Sequence, residues 1–126
     1  MSSFNMQMEY KKTGFLVVYV SGSLDSDHYL ELEEKVLDAI GEGLQTLVFD
    51  IAGLSYISSM GISALLKVKK AVEELHGKFM LVNPQPQVRK VFEIVKALPF
   101  ETIFRNIEEA DAYLSKIQRD ETEKGK

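Results

Sequence analysis

Apolar and polar residues follow two different periods along this chain, and the period changes several times between its ends. Residues 4–10 alternate apolar with polar side chains, which predicts a half-exposed strand. A short turn joins them to the β-rich apolar run 15–20, so the two segments are predicted to form a hairpin. Residues 46–51 and 78–82 lack alternation, which is typical of strands buried on both faces. Residues 102–104 are a candidate for a further short strand.

Four other segments repeat apolar residues every three or four positions, which is the spacing of one face of a helix. Pro99 ends the third pattern, and Asn106 followed by Glu109 resembles a capping box before the fourth. The apolar positions are Leu32, Val36, Leu37 and Ile40; Leu65, Val68, Val72 and Leu75; Val88, Val91, Phe92, Val95 and Leu98; and Ile107, Ala110, Leu114 and Ile117.

The order of these elements, β-β-α-β-α-β-α-β-α, indicates the fold class. Strands that alternate with helices favour a mostly parallel sheet, and the initial hairpin makes that sheet mixed. The prediction is one α/β domain with a mixed β-sheet of about five strands and about four helices. The domain is expected to span residues 4–117. Residues 118–126 lack an apolar anchor and are expected to form a flexible C-terminal tail.

Composition argues against several classes of protein. Hydrophobic residues make up 45% of the chain, which is enough to bury a core. The net charge of -4, without a concentrated Lys/Arg stripe, argues against nucleic acid as a partner. No apolar run approaches the roughly 18 residues that span a bilayer, and the N-terminus lacks the features of a secretory signal. We therefore expect a cytoplasmic protein without membrane insertion, as a monomer or weak dimer.

The candidate catalytic and metal-binding groups have simpler explanations. Ser59, His28 and Asp25 could in principle form a hydrolase triad, but no G-x-S-x-G motif is present, and the last two lie in one short segment. Asp25, Asp27 and His28 could hold a metal, but acids at a helix start usually cap it, here through Asp27 or Ser26. The chain has no cysteine and no glycine-rich phosphate loop. We therefore expect no enzyme activity, no metal and no cofactor.

The stretch "YISSMGIS" places two serines and a glycine where a strand gives way to a helix. A serine at a helix start commonly accepts a hydrogen bond from a backbone N–H, and one of Ser58 and Ser59 is expected to do so. The other hydroxyl is then spare, at the carboxyl end of a strand, where partners commonly meet this type of fold. Since no base adjoins it in sequence, the spare hydroxyl is a candidate substrate for another protein's chemistry.

The segment "FDIAGLSYISSMGISALL" resembles the signature of the STAS family, specifically that of bacterial anti-sigma factor antagonists. The family segment runs roughly D-L-S-x-V-x-x-I-D-S-S-G-L-x-x-L. Asp50 falls on its first Asp, Ser59 on the first Ser of D-S-S-G, and Gly61 on the Gly. Ser58 replaces the Asp before the phosphate acceptor, and Met60 replaces the second Ser. Ala52 replaces the Ser of D-L-S, which is expected to change packing only.

Two further segments are similar to the same family. "VVYVSGSLDSDHYLELEEKV" matches a strand that ends in G-x-[IL]-D, with Asp25 as its acid. "FMLVNPQPQV" matches a strand followed by N-x-x-P-x-V, which begins at Asn83. The resemblance covers about residues 4–117.

The resemblance implies a partner-switching regulator. An unphosphorylated antagonist of this family binds an anti-sigma factor that is a serine kinase; the kinase phosphorylates the signature serine and a serine phosphatase reverses the reaction. By this resemblance Ser59 is the phosphate acceptor and Ser58 the second choice. The implied partner-binding residues are Asp25, Ser58, Ser59, Met60, Gly61 and Asn83. The alternative is a non-phosphorylated STAS binding module that serves as accessory subunit of a transport or lipid-trafficking system.

Overall fold

The structure, a computed structural model, describes residues 3–97 and 107–124. Its described part contains a four-stranded mixed sheet in the order β1-β2-β3-β4. β1 and β2 form the predicted antiparallel hairpin, and β2, β3 and β4 run parallel. The single mixed α/β domain is thus confirmed. The strands are β1 Phe4–Lys12, β2 Phe15–Leu24, β3 Thr46–Ile57 and β4 Lys78–Val82.

Four helices are described, α1 Tyr29–Ala39, α2 Ser59–Glu74, α3 Pro86–Ala97 and α4 Ile107–Lys124. The predicted strand at 102–104 lies outside the described residues. So do the end of the third helical pattern at Leu98 and Pro99 and the capping residue Asn106.

The core lies between the sheet and the helices. Val18 of β2 pairs with Phe49 of β3, and both side chains are fully buried in one cluster with residues of all four helices. The helical patterns explain that cluster, because their apolar faces turn toward the sheet. Residues of the predicted faces that are fully buried include Leu32, Val36, Val68, Val72, Val88, Val91 and Leu114.

β4 is less buried than its sequence predicts. Met80 is 37% exposed, and the other residues of the strand are exposed or half-buried. This strand is exposed because it lies at the edge of the described sheet, where it pairs only with β3. A run without alternation therefore does not make this strand buried on both faces, whereas Val48 in the central β3 is buried.

β2 and β3 both continue beyond their predicted ends at residues 20 and 51. The extensions pair with each other, from Ser21 opposite Gly53 to Leu24 opposite Ile57. Two irregularities in register interrupt this pairing, so β3 uses more residues than β2 over the same length. The polar residues of the extensions, which suggested a loop, are compatible with a strand because they fall at these irregular positions.

β4 ends opposite Asp50, so residues 52–57 of β3 continue past it; we call these residues the β3 overhang. Glutamine side chains bond its backbone. Gln85 donates to the carbonyl of Ala52 at 2.8 Å, and Gln87 donates to the carbonyl of Ser55 at 3.0 Å. Gln118 of α4 accepts from the N–H of Ile57 at 3.0 Å and donates to its carbonyl at 2.8 Å.

α4 continues to Lys124, through much of the segment predicted to be a flexible tail from residue 118. Gln118 is only 3% exposed, and its amide makes the two bonds to Ile57. The boundary expected at residue 117 therefore differs from the end of the helix. The anchor that extends the helix is a polar side chain, which an analysis of apolar spacing does not detect.

Candidate functional site

The candidate site is the serine junction, residues 58–61, where β3 passes into α2 through one residue. Ser58 has extended backbone angles and is the N-cap of α2. Its Oγ accepts a hydrogen bond from the N–H of Gly61 at 3.2 Å, and its own N–H donates to the carbonyl of Leu24 at 2.9 Å. One serine of the pair therefore caps the helix, as predicted, and its hydroxyl is engaged.

Ser59 is the first residue of α2 and is only 6% exposed. Its Oγ is buried and has no hydrogen-bond partner among the described residues. Its backbone N–H donates to Oδ1 of Asp111 in α4 at 2.8 Å. A buried hydroxyl without a partner is uncommon, because it loses its bonds to water without replacing them. This is the spare hydroxyl that the sequence predicts, but it faces inward.

α4 contacts the junction through the α4 polar stripe, which we define as Asp111, Ser115 and Gln118. These residues are four and three positions apart, so they lie on one face of the helix. Ser115 shares a 2.6 Å hydrogen bond with the hydroxyl of Tyr56, next to the contacts already described for Asp111 and Gln118. No residue of the stripe was a candidate in the sequence, since the contacts join positions more than fifty residues apart.

Gly61 is buried where α2 crosses the ends of β2 and β3. A Cβ at this position would lie 2.4 Å from the carbonyl oxygen of Leu24 and 2.9 Å from Cγ1 of Ile57. Only glycine fits that approach without movement of the backbone. The geometry accounts for this glycine by close packing, and its contact with a partner remains a prediction.

Asp25 begins the loop next to the junction, because its neighbour Leu24 bonds Ser58. Its carboxylate accepts from the N–H of Asp27 at 3.0 Å and contacts Nδ1 of His28 at 2.8 Å. The prediction that Asp27 or Ser26 caps α1 is wrong. The N-cap is His28, whose side chain makes no cap bond, because its ring is paired with Asp25 and stacked on Phe4.

The remaining predicted partner-binding residues lie on two sides of the junction. Met60 is half-buried and lines a groove between α1 and α2, beside Glu33 and Lys67. Lys67 Nζ lies 2.6 Å from Glu33 Oε1, and this carboxylate raises the pKa of Lys67. Asn83 is exposed just after β4, with a left-handed φ of 61°. The β3 overhang lies between Asn83 and the serines, so the structure does not bring that residue to them.

The structure separates the three residues that the sequence offered as a catalytic triad. His28 pairs with Asp25 and not with Ser59, so these three side chains do not form a triad. No group of three or more His, Asp or Glu side chains in residues 3–97 and 107–124 is arranged to hold a metal ion. In the same part of the chain, no helix combines the length and apolar character that crossing a membrane requires.

The chain shares sequence and fold with known proteins. It is 31% identical to the anti-sigma F factor antagonist of Lysinibacillus sphaericus over 91 residues, 71% of this chain and 76% of that one. The unphosphorylated anti-sigma factor antagonist SpoIIAA superposes with a TM-score of 0.67 at 29% identity, covering 75% of this chain and 84% of the other. Phosphorylated SpoIIAA from Bacillus superposes with a TM-score of 0.62 at 28% identity, and the match covers 72% of this chain and 83% of the other. The family model described as STAS domain matches residues 7–110, and the chain therefore belongs to the STAS domain family.

Proposed function

We propose that this protein is an anti-sigma factor antagonist that binds an anti-sigma serine kinase and is controlled by reversible phosphorylation of Ser59. The observation that carries the proposal is the difference in hydrogen bonding between two adjacent serines. Ser58 uses its hydroxyl to cap α2, whereas the hydroxyl of Ser59 has no partner in the described structure. The similarity to SpoIIAA, whose structures include a phosphorylated and an unphosphorylated form, supports control by phosphorylation.

The proposed reaction takes place in the kinase. The Oγ of Ser59 attacks the γ-phosphorus of ATP, an Oγ–P bond forms, and the bond from that phosphorus to the bridging oxygen of ADP breaks. The hydroxyl proton passes to a base of the kinase, and ADP leaves. A serine phosphatase transfers the phosphoryl group to water and restores the hydroxyl. The antagonist contributes the hydroxyl that accepts the phosphoryl group and no catalytic group.

The added charge is expected to act on partner binding more than on folding. A phosphoserine carries about -1.5 to -2 charge, and the N-terminus of α2 is the positive end of a helix dipole. The domain should therefore tolerate the group. A partner docked over the serine junction would meet new charge and bulk there, which weakens the complex and releases the kinase.

Phosphate incorporation tests the assignment directly. Wild type, Ser58→Ala and Ser59→Ala are each incubated with ATP and the cognate anti-sigma serine kinase, and the modified residue is located by peptide mass spectrometry. Wild type and Ser58→Ala should carry the phosphate on Ser59, and Ser59→Ala should carry none and stay bound to the kinase.

Two results would contradict the proposal. A phosphate on Ser58 would reverse the assignment of the two serines. A kinase that binds the wild type tightly but transfers no phosphate would leave a STAS binding module without a phosphate switch. Ser59→Asp sharpens the result, because one carboxylate has less charge than a phosphate and should weaken the kinase complex only in part.

A further inference from the structure

The described conformation of the junction cannot accept a phosphoryl group as it stands. The Oγ of Ser59 is buried, so an ATP γ-phosphate has no path to it. The first N–H of α2, which would stabilise an anion on this residue, already donates to the carboxylate of Asp111. A kinase therefore needs a state in which the surroundings of Ser59 have moved.

α4 is the distant element that bonds the junction, and its movement would free the N–H of Ser59. Its Asp111 makes the contact with the backbone of Ser59, and its Ser115 bonds Tyr56, three residues before the acceptor. Both contacts are polar, and a shift of this helix would replace them with bonds to water. Leu114 of α4 is fully buried in the core, so a shift that leaves it in place is confined to the turns before it. Gly61 and Ser58 are fixed by close packing and by the cap of α2, so they do not move with those turns.

We propose that α4 is a displaceable cover over Ser59, held closed by Asp111, and that a phosphate on Ser59 keeps it open. The part concerning phosphate rests on the proposed function; the cover itself does not. The physical reason is competition between anions. A phosphate on Ser59 and the carboxylate of Asp111 would share the same N–H, and two negative groups at one donor repel each other.

The opening should be confined to the first turns of α4. Gln118 is neutral, and its amide both donates to and accepts from Ile57, so the new charge does not directly oppose this contact. In the phosphorylated protein, the amide of Ser59 should lose its protein acceptor while the amide of Ile57 keeps the one it has. Asp111 is thus a positioning residue, which sets how often the acceptor is accessible.

A single introduced thiol tests the cover without any kinase, because the chain contains no cysteine. Ser59→Cys reports access to the acceptor position, and Ser63→Cys on the exposed face of the same helix is the matched reference. Alkylation by iodoacetamide should be at least about tenfold slower at position 59 than at position 63, since it waits for local opening. Rates are compared on the high-pH plateau, so that a change in thiol pKa does not contribute.

Removing the contact should raise the rate at position 59 in a graded order. In the Ser59→Cys background, Asp111→Ala should raise it roughly tenfold or more, the effect of a hydrogen bond to a charged group. Asp111→Asn keeps an uncharged acceptor and should give a smaller rise. Asp120→Ala, which removes an exposed acid of the same helix that pairs with Lys116, should leave the rate unchanged.

Equal alkylation rates at positions 59 and 63 would overturn the proposal that α4 covers Ser59. No increase in the rate at position 59 in either Asp111 variant would also overturn it. An equal increase in Asp120→Ala would also overturn it, since the effect would then be one of overall charge. Circular dichroism checks that each variant is folded. If Asp111→Ala does not fold, the alkylation rate of Asp111→Asn alone tests the contact.

Hydrogen exchange of the phosphorylated protein tests the second half of the proposal. Faster exchange of the backbone amides at 111–114, with protection retained at Ile57, supports opening of the first turns, and unchanged exchange at 111–114 overturns it. Absence of phosphate in the wild type contradicts the proposed function, while the thiol rates still decide whether α4 covers Ser59.

Discussion

The starts of α1 and α2 follow neighbouring parallel strands at the same end of the sheet, yet they are built in different ways. At α1, a loop of four residues separates strand from helix, and its bonds join residues two to four apart, as between Asp25 and His28. At α2, the link is the single residue Ser58, and the bonds reach α4, as from Ser59 to Asp111 and from Ile57 to Gln118.

The difference separates a loop that bonds no distant helix from a junction that depends on one. The α1 start contains its own acceptor, so its conformation should survive the loss of the contacts made by α4. The α2 start is complete only when α4 is docked. If Ser59 accepts phosphate as proposed, its modification is linked to the docking of a distant element, and a serine at the α1 start would not be.

The largest expected effect comes from filling the space at Gly61. Gly61→Ala places a Cβ against the carbonyl of Leu24, and we expect a loss of about 3 kcal/mol in the free energy of unfolding, as for an overpacked core. Gly41→Ala is the matched control, because a Cβ there meets no atom within 4 Å. Urea unfolding measures both variants, and equal stability in the two would contradict the close packing of the junction.

The next effect comes from Gln118. Gln118→Ala leaves the buried N–H and carbonyl of Ile57 without their side-chain partners, which should cost about 2 kcal/mol. Gln85→Ala removes one amide bond to Ala52 nearer the surface, where water replaces it, and should cost under about 0.5 kcal/mol. Thermal denaturation compares the pair, and a larger loss in Gln85→Ala would show that α4 is not what completes the α2 start.

Ser58→Ala removes the cap and should cost about 1 kcal/mol, the usual worth of a serine N-cap. Ser63→Ala, on the exposed surface of the same helix, should change stability little or raise it, because alanine favours helix. Chemical denaturation measures both changes. If Ser58→Ala left the free energy of unfolding unchanged, the packing of α2, and not its cap, would fix the junction.

The smallest effect on folding is expected at the α1 start. Asp25→Ala loses bonds within its own loop and should cost no more than about 1 kcal/mol, while it weakens binding to the anti-sigma kinase. Calorimetric titration with the kinase, together with a melting curve, separates the two roles. Normal binding with a much lower melting temperature would make Asp25 a structural residue and remove the contrast between the two helix starts.

The features that could be predicted from sequence are those whose cause lies within a few residues. The helical faces that include Val36 and Val68, the hairpin, and a serine cap on α2 each follow from spacing or residue type over one or two turns. The resemblance to a known signature pointed to the serine junction as well, although the role of each residue there remains a proposal.

The features that could not be predicted depend on contacts between distant segments. Nothing near Asp111 or Gln118 indicates that their side chains reach positions 59 and 57, because the contacts arise only when α4 packs on the sheet. The cap of α1 was missed for a related reason, since the stacking of His28 on Phe4 depends on the hairpin. The exposure of β4 reflects its place in the sheet, which local composition does not encode.

The glutamines along the β3 overhang complete the hydrogen bonding of a strand without supplying another strand. An uncovered strand edge is a template on which a second chain can pair, and it favours aggregation and strand exchange. Side-chain amides satisfy the backbone of Ala52, Ser55 and Ile57 but present no edge of their own to continue the sheet. Proteolytic removal of α4 would uncover the backbone of Ile57. The trimmed protein should then self-associate through β3, so a docked α4 protects the chain against aggregation.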